Sequence, residues 1–372
     1  MNIKTTLKTT VAAAALFAVA SPAVAADLTF SGQVNKAFAY IDNGGAARGQ
    51  VVDNDISRSR LYAKYSGAVN EAVTVSGRFE MMVSDNKLSG TGVVNSQATG
   101  EAGADVDGGG DDTIALTEQW IAIEHKQLGK FLLGKVEEAS DRAWNTGPNP
   151  AGNIVDAGSA ILGSVDLHVS SAADNTFSGS TVGEFFQAFE GSGGANMVGY
   201  VTPSLGGAKL LVSYANDGDA DIGLSYGGKF GDFGVELYTG YKNSSGASAT
   251  LDHTWGISGG VTHASGFSVA GGYGTEDSKA SGTNDADGYW VILGYEANLI
   301  SAGATGIAFQ YLSVDEATGT KGDEGKAYSF GVQQGMGAGL SAYAGYTLIQ
   351  VDRTATNFDD VSLLMAGMRL SF

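Results

Sequence analysis

Basic residues recur at alternate positions of two neighbouring segments in which polar and apolar residues also alternate. In the segment 56–66, Arg58, Arg60 and Lys64 fall on one side and apolar residues on the other, and Arg78 has the matching position in the segment 73–84. Because successive side chains of a strand point to opposite faces, the pattern predicts two adjacent strands with a shared positive face. Such a face would attract anionic groups.

Carboxylates are the expected partners of this basic face. The candidates lie on the same strand as Arg78 or in a long polar segment further along: Glu80, Glu137, Asp141 and Asp156. If that segment folds back over the shared face of the two strands, its acids would face the arginines, and low-dielectric surroundings would focus the field between them. We expect Asp141 and Asp156 to face the arginines. The alternative is that the arginines pair with nearby acids such as Glu80 and only fix the wall.

No pattern in the sequence predicts a reaction centre or a bound cofactor. There is no cysteine, which excludes a thiol nucleophile, a Cys-ligated zinc site and an iron–sulfur cluster. The four histidines lack metal-site spacing, and neither a G-x-S-x-G elbow nor a P-loop occurs. The acidic stretch 105–112 offers oxygen ligands for calcium, but Gly109 and Leu116 break the EF-hand pattern. We therefore favour a solvated loop and no cofactor, with loop-bound calcium as the alternative.

Composition and charge narrow the fold class. The chain has 372 residues, 40 of them acidic and 21 basic, for a net charge of −19, which makes nucleic acid an improbable partner. Glycine contributes 56 residues, about twice its usual share of about 7%. So much glycine disfavours helices and suits a β-protein with many turns and close strand contacts.

The N-terminal segment predicts export. Lys4 and Lys8 precede the apolar run 11–20, and 23–25 has the small-x-small form of a cleavage site, so residues 1–25 are expected to be a cleaved signal peptide. Its removal takes away two lysines and changes the net charge from −19 to −21. The exported chain is then either soluble outside the cytoplasm or a membrane-spanning β-barrel, since no later segment is an apolar spanning helix.

Alternating segments continue to the C-terminus and predict one domain, 26–372, with about sixteen antiparallel strands. Tight glycine-containing turns alternate with long polar linkers, as in outer-membrane barrels with short periplasmic turns and long outer loops. The third long linker, 137–194, follows the fifth predicted strand. The fold class is thus all-β, a transmembrane barrel.

The chain ends on a strand with an aromatic last residue. Leu364, Ala366, Met368, Leu370 and Phe372 alternate with polar or small residues and would face lipid. This end resembles the terminal strand of Gram-negative outer-membrane proteins, Gly-x-x-apolar-x-Phe, here Gly367, Leu370 and Phe372. The resemblance implies recognition by the barrel-assembly machinery. The alternative is an ordinary edge strand that ends in Phe.

Longer segments resemble the Gram-negative general porins. SRSRLYAKYSG (57–67) with VTVSGRFEMMV (73–83), WIAIEHKQLGKFLLGK (120–135) and NMVGYVTPSLGGAKLLVSYAN (196–216) are similar to strand pairs of that family, in the same order. The resemblance implies a homotrimer of sixteen-stranded, water-filled barrels in the lipid and lipopolysaccharide of the outer membrane. It also implies passive diffusion of small hydrophilic solutes and ions, and a third loop folded into the lumen.

The resemblance is imperfect where many members carry a basic residue, because this chain has Gln33 and Gly199 at those positions. The thinner basic strip and the acidic net charge predict a weak to moderate preference for cations, although charges farther than about 10 Å are screened. A substrate-specific channel is the closest alternative. An enzymatic barrel and a structural or adhesive barrel are further alternatives.

Overall fold

The structure is a computed structural model that describes residues 27–84, 113–156, 165–169, 177–246, 248, 250–354 and 356–372. The expected signal peptide and the acidic stretch 105–112 lie outside these residues, so both interpretations stay predictions. Among the helices of the described ranges, none has the length and apolar character needed to cross a membrane.

Twenty strands account for most of the described chain. In chain order they are β1 (Asp27–Asp42), β2 (Ala47–Asp53), β3 (Arg60–Ala68), β4 (Val73–Ser84), β5 (Thr113–His125), β6 (Gly129–Val136), β7 (Asp166–His168), β8 (Phe177–Thr181), β9 (Ala195–Val201), β10 (Ala208–Ala215), β11 (Ala220–Phe230), β12 (Phe233–Asn243), β13 (Leu251–His263), β14 (Phe267–Ser278), β15 (Ala286–Ile300), β16 (Gly303–Asp315), β17 (Glu324–Gly335), β18 (Leu340–Arg353), β19 (Thr356–Asn357) and β20 (Val361–Ser371). Two short 3₁₀ turns, Asp55–Ser57 and Val182–Phe185, complete the regular structure of the described residues.

Sixteen of these strands form a closed antiparallel barrel. Each wall strand pairs with the next one along the chain, and β1 closes the ring by pairing with β20 over Gln33–Asp42 and with β3 over Asp27–Gln33. The other four strands are short: β2 and β19 pair with β1 and β18, and β7 pairs with β8. The prediction of a sixteen-stranded barrel is confirmed.

The alternation of residue types divides each strand between the outer surface and the lumen. On β1, Phe30, Val34 and Phe38 are exposed on the outer face, whereas Ala37, Ala39 and Ile41 are buried on the inner face. The last strand repeats this pattern, and the five residues predicted to face lipid do lie on its outer face. An apolar outer band is the surface that a lipid bilayer requires.

The linker 137–194 is called L3 from here on, and its described residues pack inside the barrel against the wall. Its described parts bury Trp144, Ile154, Leu167, Phe185 and Phe189 almost completely, in one apolar cluster with inner-face residues of β1, β2, β14–β18 and β20. The linker predicted as a long polar segment therefore has a buried apolar side. The lumen is left between the opposite side of L3 and the wall formed by β3–β6, β9 and β10.

Glycines on the inner face make this close packing of L3 possible. Every strand from β11 to β18 has a glycine where an added Cβ would lie 2.0–2.8 Å from an atom of L3. At Gly223 that atom is the carbonyl oxygen of Ala139, and at Gly306 it is that of Pro150, both at 2.0 Å. The set comprises Gly223, Gly240, Gly256, Gly260, Gly274, Gly288, Gly294, Gly306, Gly325, Gly331 and Gly345. We call these residues the glycine bed.

Candidate functional site

Two arginines of the predicted basic face share buried carboxylates on the wall itself. The Nη1 atom of Arg60 lies 3.0 Å from Oε1 of Glu80, and the guanidinium of Arg78 donates to the other oxygen of Glu80. Arg78 Nε also lies 3.3 Å from Oε2 of Glu118, which accepts a hydrogen bond from Trp120 Nε1 at 2.8 Å. The two glutamates are only 5% and 7% exposed, so the arginines neutralise acids that would otherwise be buried as unpaired charges.

The strand register explains this cluster. Tyr62 lies opposite Glu80, and Lys64 lies opposite Arg78, so side chains of β3 and β4 alternate on one face. Arg78 lies over the Tyr62 ring at 4.7 Å from its centroid, and Lys64 Nζ lies 5.2 Å from the same centroid. Lys64 is exposed. The Tyr62 ring thus makes cation–π contacts with two cations on the same inner wall.

Arg58 does not occupy the strand position that the sequence predicted. The side chain of Asn54 caps the 3₁₀ turn Asp55–Ser57, and Arg58 follows that turn, so β3 begins only at Arg60. The carbonyl of Arg58 accepts hydrogen bonds from Gln33 Nε2 at 2.7 Å and from Arg60 Nε at 3.1 Å. The predicted strand over 56–66 was wrong in its first four residues because a capped turn replaced regular pairing.

The predicted acids of L3 form no ion pair with Arg60 or Arg78 among the residues that the structure describes. The ion pairs of these two arginines are with Glu80 and Glu118, as in the alternative interpretation. That the arginines also face Asp141 and Asp156 stays a prediction. Glu137 is exposed to the lumen, and the carbonyl of Asp156 accepts a hydrogen bond from Gln310 Nε2 at 2.6 Å.

Two carboxyls of L3 have raised pKa values. Burial, with smaller contributions from the neighbouring Glu137 and Glu138 and against the lowering effect of Arg142, raises the pKa of Asp141 to about 8. Burial also raises the pKa of Glu190 well above its ordinary value, with a further contribution from Asp141. L3 therefore carries less negative charge near neutral pH than its acidic residues suggest.

The beginning of L3 is held to β10–β12 by polar contacts. Lys242 Nζ lies 2.8 Å from Glu138 Oε2 and 2.6 Å from Asp219 Oδ2, in a group with Asp217 that has the spacing of metal ligands. The lysine ammonium already provides a cation there, so the group fits an ion-paired anchor. Tyr238 donates to the carbonyl of Ala139 at 2.7 Å, next to Gly223.

The three residues of the C-terminal pattern have different surroundings. Leu370 and Phe372 are 44% and 62% exposed on the outer face. A Cβ on Gly367 would lie 2.4 Å from the hydroxyl oxygen of Tyr343, which hydrogen-bonds to Asn35. The glycine is thus required by packing inside the barrel, and the role of this pattern in assembly stays a prediction.

Sequence reasoning missed Glu118 and Trp120. Their positions were available from the alternation of β5, because Ile121 and Ile123 face outward and residues of the opposite parity must face inward. A register shift between Glu80 and Met81 obscures this parity before Glu118. The glycine bed was also missed, although its signal was present as inner-face glycines on successive strands.

Comparisons with known proteins agree with the barrel. The family model for Gram-negative porins matches residues 11–354. No curated protein matches the chain by sequence. The anion-selective porin from Comamonas acidovorans has a TM-score of 0.60 at 13% identity, covering 94% of this chain and 100% of that one.

Two further solved structures are similar. OmpT of Vibrio cholerae in its trimer form has a TM-score of 0.57 at 13% identity, covering 94% of this chain and 100% of that one. Salmonella typhi OmpF has a TM-score of 0.54 at 12% identity, covering 93% and 97%. At these identities the likeness shows the fold alone.

Proposed function

Since this chain belongs to the Gram-negative porin family and is an outer-membrane channel, we propose that it passes small hydrophilic solutes and ions by passive diffusion. The observation that carries the proposal is the placement of L3, which packs on the glycine bed of eight consecutive strands. The remaining lumen is bounded by L3 on one side and by the wall with Arg60 and Arg78 on the other. A narrowed, charged aqueous path of this kind selects solutes by size and charge.

The finer part of the proposal is a weak to moderate preference for cations. Acidic residues crowd the loop end of the barrel, among them Asp217, Asp252, Asp277, Asp315 and Asp360. Arg60 and Arg78 are compensated by Glu80 and Glu118, so they add little net positive charge to the path. An acidic entrance raises the local concentration of cations.

A homotrimer in outer-membrane lipid and lipopolysaccharide is also proposed, with the barrel-assembly machinery as a partner during biogenesis. The support for a trimer is the family and the trimer form of the Vibrio cholerae protein. Cross-linking or native mass spectrometry of detergent-extracted protein tests this part. A result with monomers alone would contradict it.

We further propose that the protein does not catalyse a reaction. Among the described residues, His168 and Asp359 form a His–carboxylate pair of the kind found in catalytic triads, and their side chains are in short contact. A backbone hydrogen bond from Asp359 N to the His168 carbonyl, at 3.0 Å, accompanies it. The two contacts join L3 to the segment before β20, which is a structural role. Hydrolysis of a lipid or peptide substrate by the purified protein would contradict this part.

The experiment that tests the channel is reconstitution of purified protein in a planar bilayer, with conductance and reversal potential measured in a KCl gradient. We expect conductance that scales with bulk conductivity, opening steps in threes, and a reversal potential of the sign for cations. A folded barrel without conductance would refute the diffusion proposal. A reversal potential of opposite sign would refute only the cation preference.

A further inference from the structure

A cavity of about 360 Å³ opens between the beginning of L3 and the wall of the barrel. Its volume lies in the range of small-molecule sites, about 300–1,000 Å³. The cavity reaches toward the ends of β6 and β10 that are joined by short turns, where Lys130 and Lys209 lie. It is therefore on the opposite side of L3 from the acidic loop end.

The charged groups of this cavity are unequally compensated. Of its acids, Glu118 is bound by Arg78 and Trp120, and Glu138 is buried with Lys242. Of its bases, Lys130, Arg142 and Lys209 form no ion pair with any residue that the structure describes. Glu137 is the one exposed acid that lines the cavity. The uncompensated bases make the cavity locally positive. The acidic residues elsewhere in the chain do not cancel this charge, because charges beyond about 10 Å are screened.

An apolar wall accompanies these cations. The indole N–H of Trp120 donates a hydrogen bond to Glu118, and Lys130 Nζ lies over the indole ring at 4.9 Å from its centroid. Leu132, Met197 and Leu211 line the same cavity. A solute that satisfies both kinds of surface carries a negative group for the cations and an apolar body for the indole face and aliphatic side chains.

We propose that this cavity is a binding site for small organic anions with an aromatic or aliphatic body, which occupy it during passage through the channel. The inference rests on the proposed channel function and narrows it to a solute class. Binding of an organic anion depends on the few side chains that line this cavity. The preference of the channel for small cations or anions depends on all charges along the path, so the two properties are independent.

The test uses three probes on the reconstituted full-length protein in KCl. Benzoate has both required features, benzylammonium has the ring with the opposite charge, and acetate has the charge without the ring. We expect benzoate to reduce the chloride and potassium current saturably at millimolar concentration, and the other two to do so at least fivefold more weakly.

Variants then locate the effect. Lys130→Gln and Lys209→Gln should each raise the half-blocking benzoate concentration about fivefold, the upper end for a partly exposed ion pair. The matched control is Lys229→Gln, which removes an exposed lysine from the inner face of β11 outside the cavity and should leave the concentration unchanged. Equal block by benzoate and benzylammonium would overturn the inference, as would equal shifts in Lys130→Gln and Lys229→Gln.

A second readout separates this inference from the channel proposal. Binding of benzoate to folded, detergent-extracted protein is measured by calorimetry on the same variants. Binding that depends on Lys130 in a protein without conductance would refute the diffusion channel and support the site. Conductance without benzoate binding by either method would refute the site and leave the channel in place.

Discussion

Replacing Gly223 by alanine tests whether the glycine bed determines the position of L3. The new Cβ would lie 2.0 Å from the carbonyl oxygen of Ala139 and 2.8 Å from the hydroxyl of Tyr238. Since ordinary contact begins at 3.4 Å, the Ala139 segment has to move by about 1.4 Å. Overpacking costs about 1–3 kcal/mol, and weakening of the Tyr238 hydrogen bond costs about 1 kcal/mol more. We expect the substitution to weaken docking of the Ala139 segment by about 2 kcal/mol, which raises the population of the undocked segment about thirtyfold.

The assay is amide hydrogen exchange of peptides covering 139–146, measured in the folded trimer or monomer as isolated. The control is Gly227→Ala on the same strand and the same inner face, where an added Cβ meets no atom within 4 Å. Neither glycine has a positive φ, so alanine itself is not strained at either position. Exchange in 139–146 should accelerate by about thirtyfold in Gly223→Ala alone. Equal exchange in the two variants would refute the idea that the bed positions L3.

Four further changes have expected outcomes. Asp141 is protonated below about pH 8, so the ratio of cation to anion permeability should fall as the pH is lowered through that value. Docking of L3 should weaken as the pH rises toward the same value. Asp141→Asn should abolish the first trend in reversal potential and the second in hydrogen exchange, and a trend that persists in this variant would show that another group causes it. Glu80→Gln leaves two arginines undercompensated, so the reversal potential should shift toward anions and the free energy of unfolding should fall by about 2 kcal/mol; an unchanged reversal potential would contradict the compensation. Lys242→Met leaves two buried carboxylates without their cation, and urea or thermal unfolding should show a loss of about 3 kcal/mol, whereas an unchanged midpoint would show that the anchor is unimportant. Phe372→Ala removes a side chain that is 62% exposed, so the unfolding midpoint of the folded barrel should barely change while its yield in the outer membrane drops; equal yield would refute the assembly signal.

The sequence alone predicted the wall because the wall depends on local alternation. Residues that alternate at a period of two determine which face meets lipid, and that rule holds along most of the wall between β1 and β20. It failed at Arg58, where a 3₁₀ turn capped by Asn54 replaces strand pairing, and before Glu118, where a register shift changes parity. Both failures fall at the basic face, so the site was less predictable than the fold.

The partners within the lumen were harder to predict because they depend on contacts between segments far apart in the chain. Ion pairing of Arg78 with Glu118 joins β4 to β5 across an unpatterned linker, and the contact of Lys242 with Glu138 joins β12 to L3. No local period relates such residues. Parity limits each one to the inner face, and only the three-dimensional arrangement decides which of the inner-face acids each base meets.

The apolar side of L3 has a consequence for how the lumen is narrowed. Trp144, Ile154, Leu167, Phe185 and Phe189 are all 0–1% exposed, and burial of each such side chain contributes about 2 kcal/mol. Together they favour docking by roughly 10 kcal/mol, an upper estimate because an undocked loop would bury some of this area itself. A loop held this strongly is part of the folded core rather than a gate that opens during transport. Selection of solutes then depends on fixed charges. Substitutions of charged lumen residues should therefore change ion selectivity and benzoate affinity, while the frequency of spontaneous channel closure in bilayer recordings stays the same.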